Sequence, residues 1–418
     1  MTKLSMALAT LVTAGVAAAP SPSWTEALAE RFDAAVADVM EREQIPGAVI
    51  LVGHREGDEW VTWQQAYGAM QVSPERRAMP LDAIFDLASM TKPIATGTSI
   101  LILQDRGLLS VEDRVSQHLA EYDTAEKRDI RIRDLMTHVS GLPSYIGEAD
   151  RRPLVDEHGY VCPGPMRDMV LTMPLQRPAR SAMVYSCLNA ITCAQIVERV
   201  SGQPFNEFAE QNIFEPLGMG DTSFSPGPGP RVVPTTQAAS AGGEFLCGMV
   251  HDPLANMQGG VSGNAGLFST AQDLSRFAQM MLGGGAREGV RILSEDAVSQ
   301  ATHDQLSGEI STPRGAPAHR GLLWETYLPE PGDEGIETIQ GFGHTGYTGT
   351  AMRLWPSQQL YVIALTNRVH PDDSARVTAF RRMCWRTAGE VVAGIDGSIT
   401  VLKDATPIRE SIRESQRG

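Results

Sequence analysis

Two short apolar runs near opposite ends of the chain constrain the fold most. "IPGAVILVGH" begins at Ile45, and "LYVIALTNR" ends at Arg368. Each is dense in β-branched residues and bounded by turn-forming residues. The first reads as a buried strand and the second as strand-like. "EWVTWQQAYG" follows the first run across the polar turn Arg55 to Asp58 and reads as its hairpin partner. "GHTGYTGTAMRLWP" precedes the second across Ser357-Gln358-Gln359. Between the two ends, from about Leu108 to Val290, the signals are mostly helix and loop. Strands at both ends with a helical middle predict one sheet closed by the two termini, with a helical region inserted.

The flanking helices are readable too. In "WTEALAERFDAAVADVMEREQ" the apolar residues Leu28, Phe32, Val36, Val39 and Met40 recur at helical spacing. "IRDLMTHVSGLPSY" reads as a helix stopped at Gly141. "SCLNAITCAQIVERVSG" reads as a helix capped by Gly202, and "TAQDLSRFAQMMLGGG" as one capped by Thr270. "DDSARVTAFRRMCWRTAGEVV" supplies a last helix.

The 418 residues exceed an ordinary single domain, which favours two domains or one core with a large insertion. The net charge of -15 repels phosphate backbones and argues against nucleic-acid binding. The N-terminus pairs Lys3 with an apolar, small-residue stretch and an A-x-A site at Ala17 to Ala19. It reads as a signal peptide over residues 1–19, so the protein is expected to be secreted or periplasmic. No later run is long enough to span a bilayer, so no stable membrane anchor is expected. The five cysteines, Cys162, Cys187, Cys193, Cys247 and Cys384, match no zinc spacing, and their odd number leaves at least one free thiol. No H-E-x-x-H and no G-x-S-x-G occur, so neither a metal nor a cofactor is implied. His138 and His251 read as structural histidines.

The chemistry concentrates in "DLASMTKPIATG". Ser89 and Lys92 are three residues apart, so a helix starting near Ser89 puts the amine on the hydroxyl's side. Serine is a poor nucleophile without a base, and lysine is a base only where its ordinary pKa of about 10.4 is lowered. By itself the spacing is common on helix surfaces. "MVYSCLNA", containing Tyr185, and "GFGHTGYTGT", containing His344-Thr345-Gly346, are equally unspecific alone.

In this order, however, the three motifs resemble the serine β-lactamase and penicillin-binding protein superfamily. The branch is the one holding class C β-lactamases, DD-peptidases, D-aminopeptidases and family VIII carboxylesterases. "LMTHVSGLPSY", "PLGMGDTSF", "GNAGLFSTAQDLSRFAQ" and "LTNRVHP" resemble the same branch, so the likeness runs from about Ala27 to Pro371. It implies an α/β fold of the α+β type, with an antiparallel sheet flanked by helices plus a mainly helical domain. Residues 20–418 would form one catalytic domain, with an α/β part from 24–88 and 335–395 and a helical part over 89–334.

The resemblance also implies roles. Ser89 would be acylated, Lys92 would take its proton, and Tyr185 would pass a proton to the leaving group. The backbone N–H groups of Ser89 and Tyr347 would form the oxyanion hole. Cys187, His344, Thr345 and Gly346 would contact substrate. His344 stands where many relatives carry lysine; a histidine can be neutral or charged near neutral pH, so it would be a softer anion handle. Cys187 stands where the second motif usually has asparagine, and a thiol is a weak substitute for an amide. The expected activity is therefore hydrolysis of an ester or peptide-type amide, on a small-molecule or peptide substrate, ahead of β-lactam hydrolysis. A penicillin-binding sensor and an acyltransferase are the alternatives.

Overall fold

The computed structural model describes residues 23–238, 243–329, 333–392 and 394; the segment expected to be a signal peptide lies outside them. The chain opens with α1 (Trp24–Glu43), whose N-terminus is closed by Ser23 and Glu26 bonding each other's backbone N–H groups. Strands β1 (Gly47–Glu56) and β2 (Glu59–Gln71) follow as a hairpin, then two short strands, β3 (Arg77–Ala78) and β4 (Phe85–Asp86). The Ser89 segment leads into α2 (Thr98–Asp105). The middle holds α3 (Cys187–Ser201), β5 (Ser223–Phe224), β6 (Leu267–Ser269) and α4 (Ala271–Leu282), among shorter helices. The chain closes with β7 (Glu325–Tyr327), β8 (Gly341–Thr345), β9 (Ala351–Trp355), β10 (Leu360–Thr366) and α5 (Thr378–Val392).

The main sheet runs β3-β2-β1-β10-β9-β8-β7, antiparallel throughout. The two ends of the chain meet at its centre, where Ala48 lies opposite Thr366 and His54 opposite Leu360. Both faces of these central strands are buried. Ala48, Ile50, Val52, Val362 and Ala364 pack under α1 and α5 with Phe32 and Phe380. Val49, Leu51, Ile363 and Leu365 face the other way, into the large core containing Leu274 and Phe277 of α4. Alternation explains why these runs are apolar at every position. Truncating Ile50 or Ile363 to alanine is expected to cost about 2–5 kcal/mol.

Three sequence expectations change. The region drawn as helical over 89–334 does not stay off the sheet: α4 packs on β1 and β10, and β7 is its edge strand. The helix expected to run to Gly141 covers only Ile132–Met136, because His138 takes a left-handed conformation (φ 62°). "GHTGYTGTAMRLWP" is two strands rather than one, since a turn over residues 346–350 with Gly349 at φ 110° separates β8 from β9. α1 and the Gly202-capped α3 form as read, and Thr270 caps α4 by accepting the Asp273 N–H at 3.1 Å.

A second, three-stranded sheet, β4-β6-β5, pairs Asp86 with Phe268 and sits where the main sheet meets the helical region. It delivers the chain to Ser89.

Candidate active site

The nucleophile segment is built in three pieces. β4 ends at Asp86, and Ala88 adopts a left-handed conformation (φ 46°) that an alanine enters only at a cost. Ser89 then lies in a single tight turn, Ala88–Met90. From Lys92 to Gly97 the chain winds more widely than an α-helix before α2 begins. Wide turns of this kind recur at functional sites. Thr91 Oγ1 accepts the Leu267 N–H at 3.1 Å and Thr96 Oγ1 donates to Gly263 O at 2.7 Å, which staples this element to the loop before β6.

Lys92 Nζ lies 3.0 Å from Ser89 Oγ and 2.9 Å from Asn264 O, and the side chain is fully buried. The amine also sits 5.0 Å from the centre of the Tyr185 ring. Burial opposes its charge, while negative charge on Cys187, Tyr185 or Asp252 would favour it; together these carry its pKa above the ordinary lysine value. Burial pushes the Cys187 thiol up, away from ionisation. Burial alone pulls the amine downward, so its upward shift rests on these neighbours, Asp252 among them. Lys92 Nζ donates to both Ser89 Oγ and Asn264 O, which sets the amine within proton-transfer distance of the hydroxyl.

Tyr185 reaches this amine from an extended segment just before α3. The loop Thr137 to Tyr145 holds it there: Ser186 Oγ donates to Pro143 O, the Cys187 N–H donates to Ser144 O at 2.9 Å and the Val184 N–H donates to His138 O at 2.9 Å. The His138 ring lies 4.6 Å from the Tyr185 ring. His138 Nδ1 faces two donors, the Ser186 N–H and Asn189 Nδ2, so its proton is on Nε2. Burial, aided by Arg320, Lys92 and His344, holds His138 well below the usual histidine range. Asn189 also accepts the Ser140 hydroxyl, so it is committed away from Lys92 and does not stand in for the asparagine that Cys187 replaces.

His344 closes the site from β8. Its Nδ1 lies 2.9 Å from Thr345 O, a carbonyl that only accepts, so Nδ1 carries the proton and Nε2 a lone pair. Burial pushes its pKa down to about 3, helped by Arg320 and Lys92 and opposed by Glu325. Of the two charge states open to a histidine here, burial favours the neutral one, with Nε2 as an acceptor. Gly346 is required where it stands, because a Cβ there would lie 2.4 Å from Leu87 O. The turn after it is sewn to the nucleophile segment: Thr348 Oγ1 donates to Asp86 O at 2.6 Å and Thr350 Oγ1 to Leu87 O at 3.1 Å. Arg381 donates to Gly346 O and Thr350 O from α5. Among the described residues, neither the Ser89 nor the Tyr347 N–H donates to a backbone carbonyl.

Ser89, Lys92, Tyr185, Cys187 and His344 therefore share one site, with Thr345, Gly346 and Tyr347 on its rim. Sequence reasoning missed Arg320. Its guanidinium stands 5.4 Å from the Tyr185 ring centre, it is 7% exposed, and it pairs with Glu325 at 3.6 Å. It also missed the Asn264 carbonyl and the Asp86 carboxylate, although both residues lie in quoted stretches. Arg320 lies in a loop with no periodic signal. Among the described residues, no group of three or more His, Cys, Asp or Glu is placed to hold a metal ion, and all five cysteines are free thiols.

Known proteins place the chain. The family model described as Beta-lactamase matches residues 32–383. A relative from Escherichia coli (strain K12) named "Putative D-alanyl-D-alanine carboxypeptidase" is 28% identical over 400 residues, covering 86% of this chain and 89% of its own. Among solved structures, the octameric penicillin-binding protein homologue from Pyrococcus abyssi superposes with a TM-score of 0.68 at 18% identity, covering 88% of this chain and 78% of that one. A class C β-lactamase from Rhodobacter sphaeroides gives 0.62 at 20% identity, over 88% and 99%. These structural likenesses bear out the expected fold. With the family match spanning far more than half of its length, the chain belongs to the Beta-lactamase family and is a serine hydrolase of its β-lactamase and DD-carboxypeptidase type.

Proposed function

We propose that this protein hydrolyses a peptide-type amide next to a free carboxylate, through an acyl-enzyme on Ser89. The observation that carries the mechanism is the buried Lys92 amine 3.0 Å from Ser89 Oγ. The neutral amine takes the Ser89 proton as Oγ bonds to the substrate carbonyl carbon. The resulting oxyanion is held by the Ser89 and Tyr347 N–H groups, an arrangement typically worth several kcal/mol in the transition state. Collapse breaks the C–N bond, and the Lys92 proton passes through the Tyr185 hydroxyl to the departing amine. Water then adds to the acyl-enzyme and Ser89 regains its proton.

Arg320 supports the choice of substrate. It brings a buried cation beside Tyr185, on the leaving-group side, while His344 is neutral. A carboxylate on the leaving residue adds a second anionic partner to that cation beside Glu325. The name carried by the Escherichia coli relative points to the same class of bond. Cys187 argues against efficient β-lactam turnover, because a thiol does not replace a substrate-orienting amide. An ester of similar shape is the second reading, since the same serine and lysine serve both bonds. The proposed setting is outside the cytoplasm, on the strength of the N-terminal segment over residues 1–19.

The test compares a short acyl-D-alanyl-D-alanine peptide, the same peptide with a C-terminal amide, and a matched short-chain ester, for wild type and Ser89→Ala. The proposal expects the free-carboxylate peptide to be favoured and all turnover to vanish in the variant. Faster cleavage of the ester than of either peptide would move the protein to the second reading.

A further inference from the structure

The nucleophile sits directly after a backbone conformation that alanine disfavours, and one side chain accounts for it. Ala88 is left-handed at φ 46°, and its N–H donates to Asp86 Oδ1 at 2.8 Å. The other carboxylate oxygen accepts the His251 N–H at 2.7 Å. Asp86 is 2% exposed, and its backbone carbonyl accepts the Thr348 hydroxyl. One residue therefore grips both segments that carry the proposed oxyanion donors. Its side chain holds the turn leading to Ser89, and its carbonyl holds the turn containing Tyr347.

The Ser89 N–H belongs to the peptide unit joining Ala88 to Ser89. Its direction is set by the Ala88 dihedrals. Were Ala88 to relax into the extended region that alanine prefers, that N–H would swing away from the Ser89 hydroxyl's working face. We propose that Asp86 is a positioning residue, whose carboxylate locks Ala88 in the left-handed turn and so aims the Ser89 N–H at the developing oxyanion. The inference rests on the reading of Ser89 as the acylated nucleophile.

The surroundings of Asp86 give the lock a pH dependence. Burial pushes its carboxyl up to about 6, against the two N–H bonds and with help from Asp252. From the loop ahead of residues 253–257, His251 and Asp252 face it; burial holds His251 below the usual histidine range. From the turn after β8 comes Tyr347, whose ring stacks on His251 at 5.6 Å and whose hydroxyl bonds Asp373. Above about pH 6 the carboxylate accepts both N–H groups. Below it, protonation weakens one of the two bonds and the turn loosens.

The experiment measures the rate at which a fluorophosphonate probe labels Ser89, by intact mass, against pH. A phosphonyl oxygen occupies the oxyanion site during this reaction, so the rate reads the donors directly. Asp86→Asn is expected to label about 10–100-fold more slowly, the range for a misaimed oxyanion donor, and to lose the acid limb near pH 6. Glycine adopts the left-handed turn freely. The penalty of Asp86→Asn should therefore shrink at least about threefold in an Ala88→Gly background. Wild-type labelling by Asp86→Asn, or an equal penalty in both backgrounds, overturns the inference. Should Asp86→Asn fail to fold, Ala88→Gly alone decides: a shallower acid limb than wild type supports the lock, and an unchanged one overturns it. Labelling that persists in Ser89→Ala overturns the nucleophile reading itself, which none of the other outcomes does.

Discussion

On the nucleophile wall, Asp86, Leu87 and the turn from Gly346 to Thr350 bind one another through threonine hydroxyls, backbone carbonyls and Arg381. On the facing wall, His138 Nε2, His344 Nε2 and Arg320 Nε are buried without a hydrogen-bond partner among the described residues. Buried polar groups are normally paired, and an unpaired one costs about 1–3 kcal/mol. Under the proposed mechanism, the bonded wall is the one that must stay fixed while charge develops at the carbonyl. The bonds left unmade are those of the wall that, in the same proposal, meets the leaving group. The proposal therefore assigns selectivity to the Tyr185 wall, where a bound substrate recovers that cost, and rate to the Ser89 wall.

That division can be broken most sharply at the nucleophile. Ser89→Ala or Lys92→Met should lower kcat by about 10⁴-fold or more, with KM changed far less, because both act only on the chemical step. Steady-state kinetics on the free-carboxylate peptide checks this; a main effect on KM would erase the distinction between the walls. On the other wall, Arg320→Met should reduce kcat/KM for the free-carboxylate peptide by about 10–100-fold and leave the C-terminal amide nearly unchanged. Equal losses on both would mean that Arg320 acts through packing against Tyr185 rather than through the substrate.

His344 gives a smaller, pH-dependent effect. Its folded pKa lies at about 3, below the ordinary histidine value. The unfolded chain therefore binds more protons between those two values, and stability is lost as pH falls through that window. Wild type should lose a few degrees of Tm relative to His344→Gln between pH 7 and pH 4. Parallel Tm curves would mean that the His344 ring is not held neutral. The smallest effect is expected at Cys187. Cys187→Asn should raise β-lactam turnover by about 3–10-fold relative to peptide turnover, since an amide adds roughly one good hydrogen bond in the transition state. An unchanged ratio would remove the argument that Cys187 restricts the substrate.

The strands at both ends were legible because a sheet buried on both faces requires apolar residues at every position, as Val49 to Val52 and Leu360 to Leu365 have. Ser89, Lys92 and Tyr185 were legible by order and spacing, and the structure brings their side chains together. Arg320 was not, because only the tertiary fold sets a loop arginine against Tyr185. The charge state of His344, which the sequence leaves open between neutral and charged, depends on the tertiary fold for a related reason. Its neutrality comes from burial and from Arg320 and Lys92, which lie far from it in sequence. The early end of the 132–136 helix and the division of the β8–β9 run depend on the dihedrals of His138 and Gly349, for which composition gave no cue.

The most direct test of the account is intact-mass analysis of wild type, Ser89→Ala and Cys187→Ala quenched during turnover of the free-carboxylate peptide. The account predicts one acyl adduct, mapped to Ser89, present in wild type and Cys187→Ala and absent from Ser89→Ala. An adduct on Cys187, or peptide turnover that continues in Ser89→Ala, would contradict it.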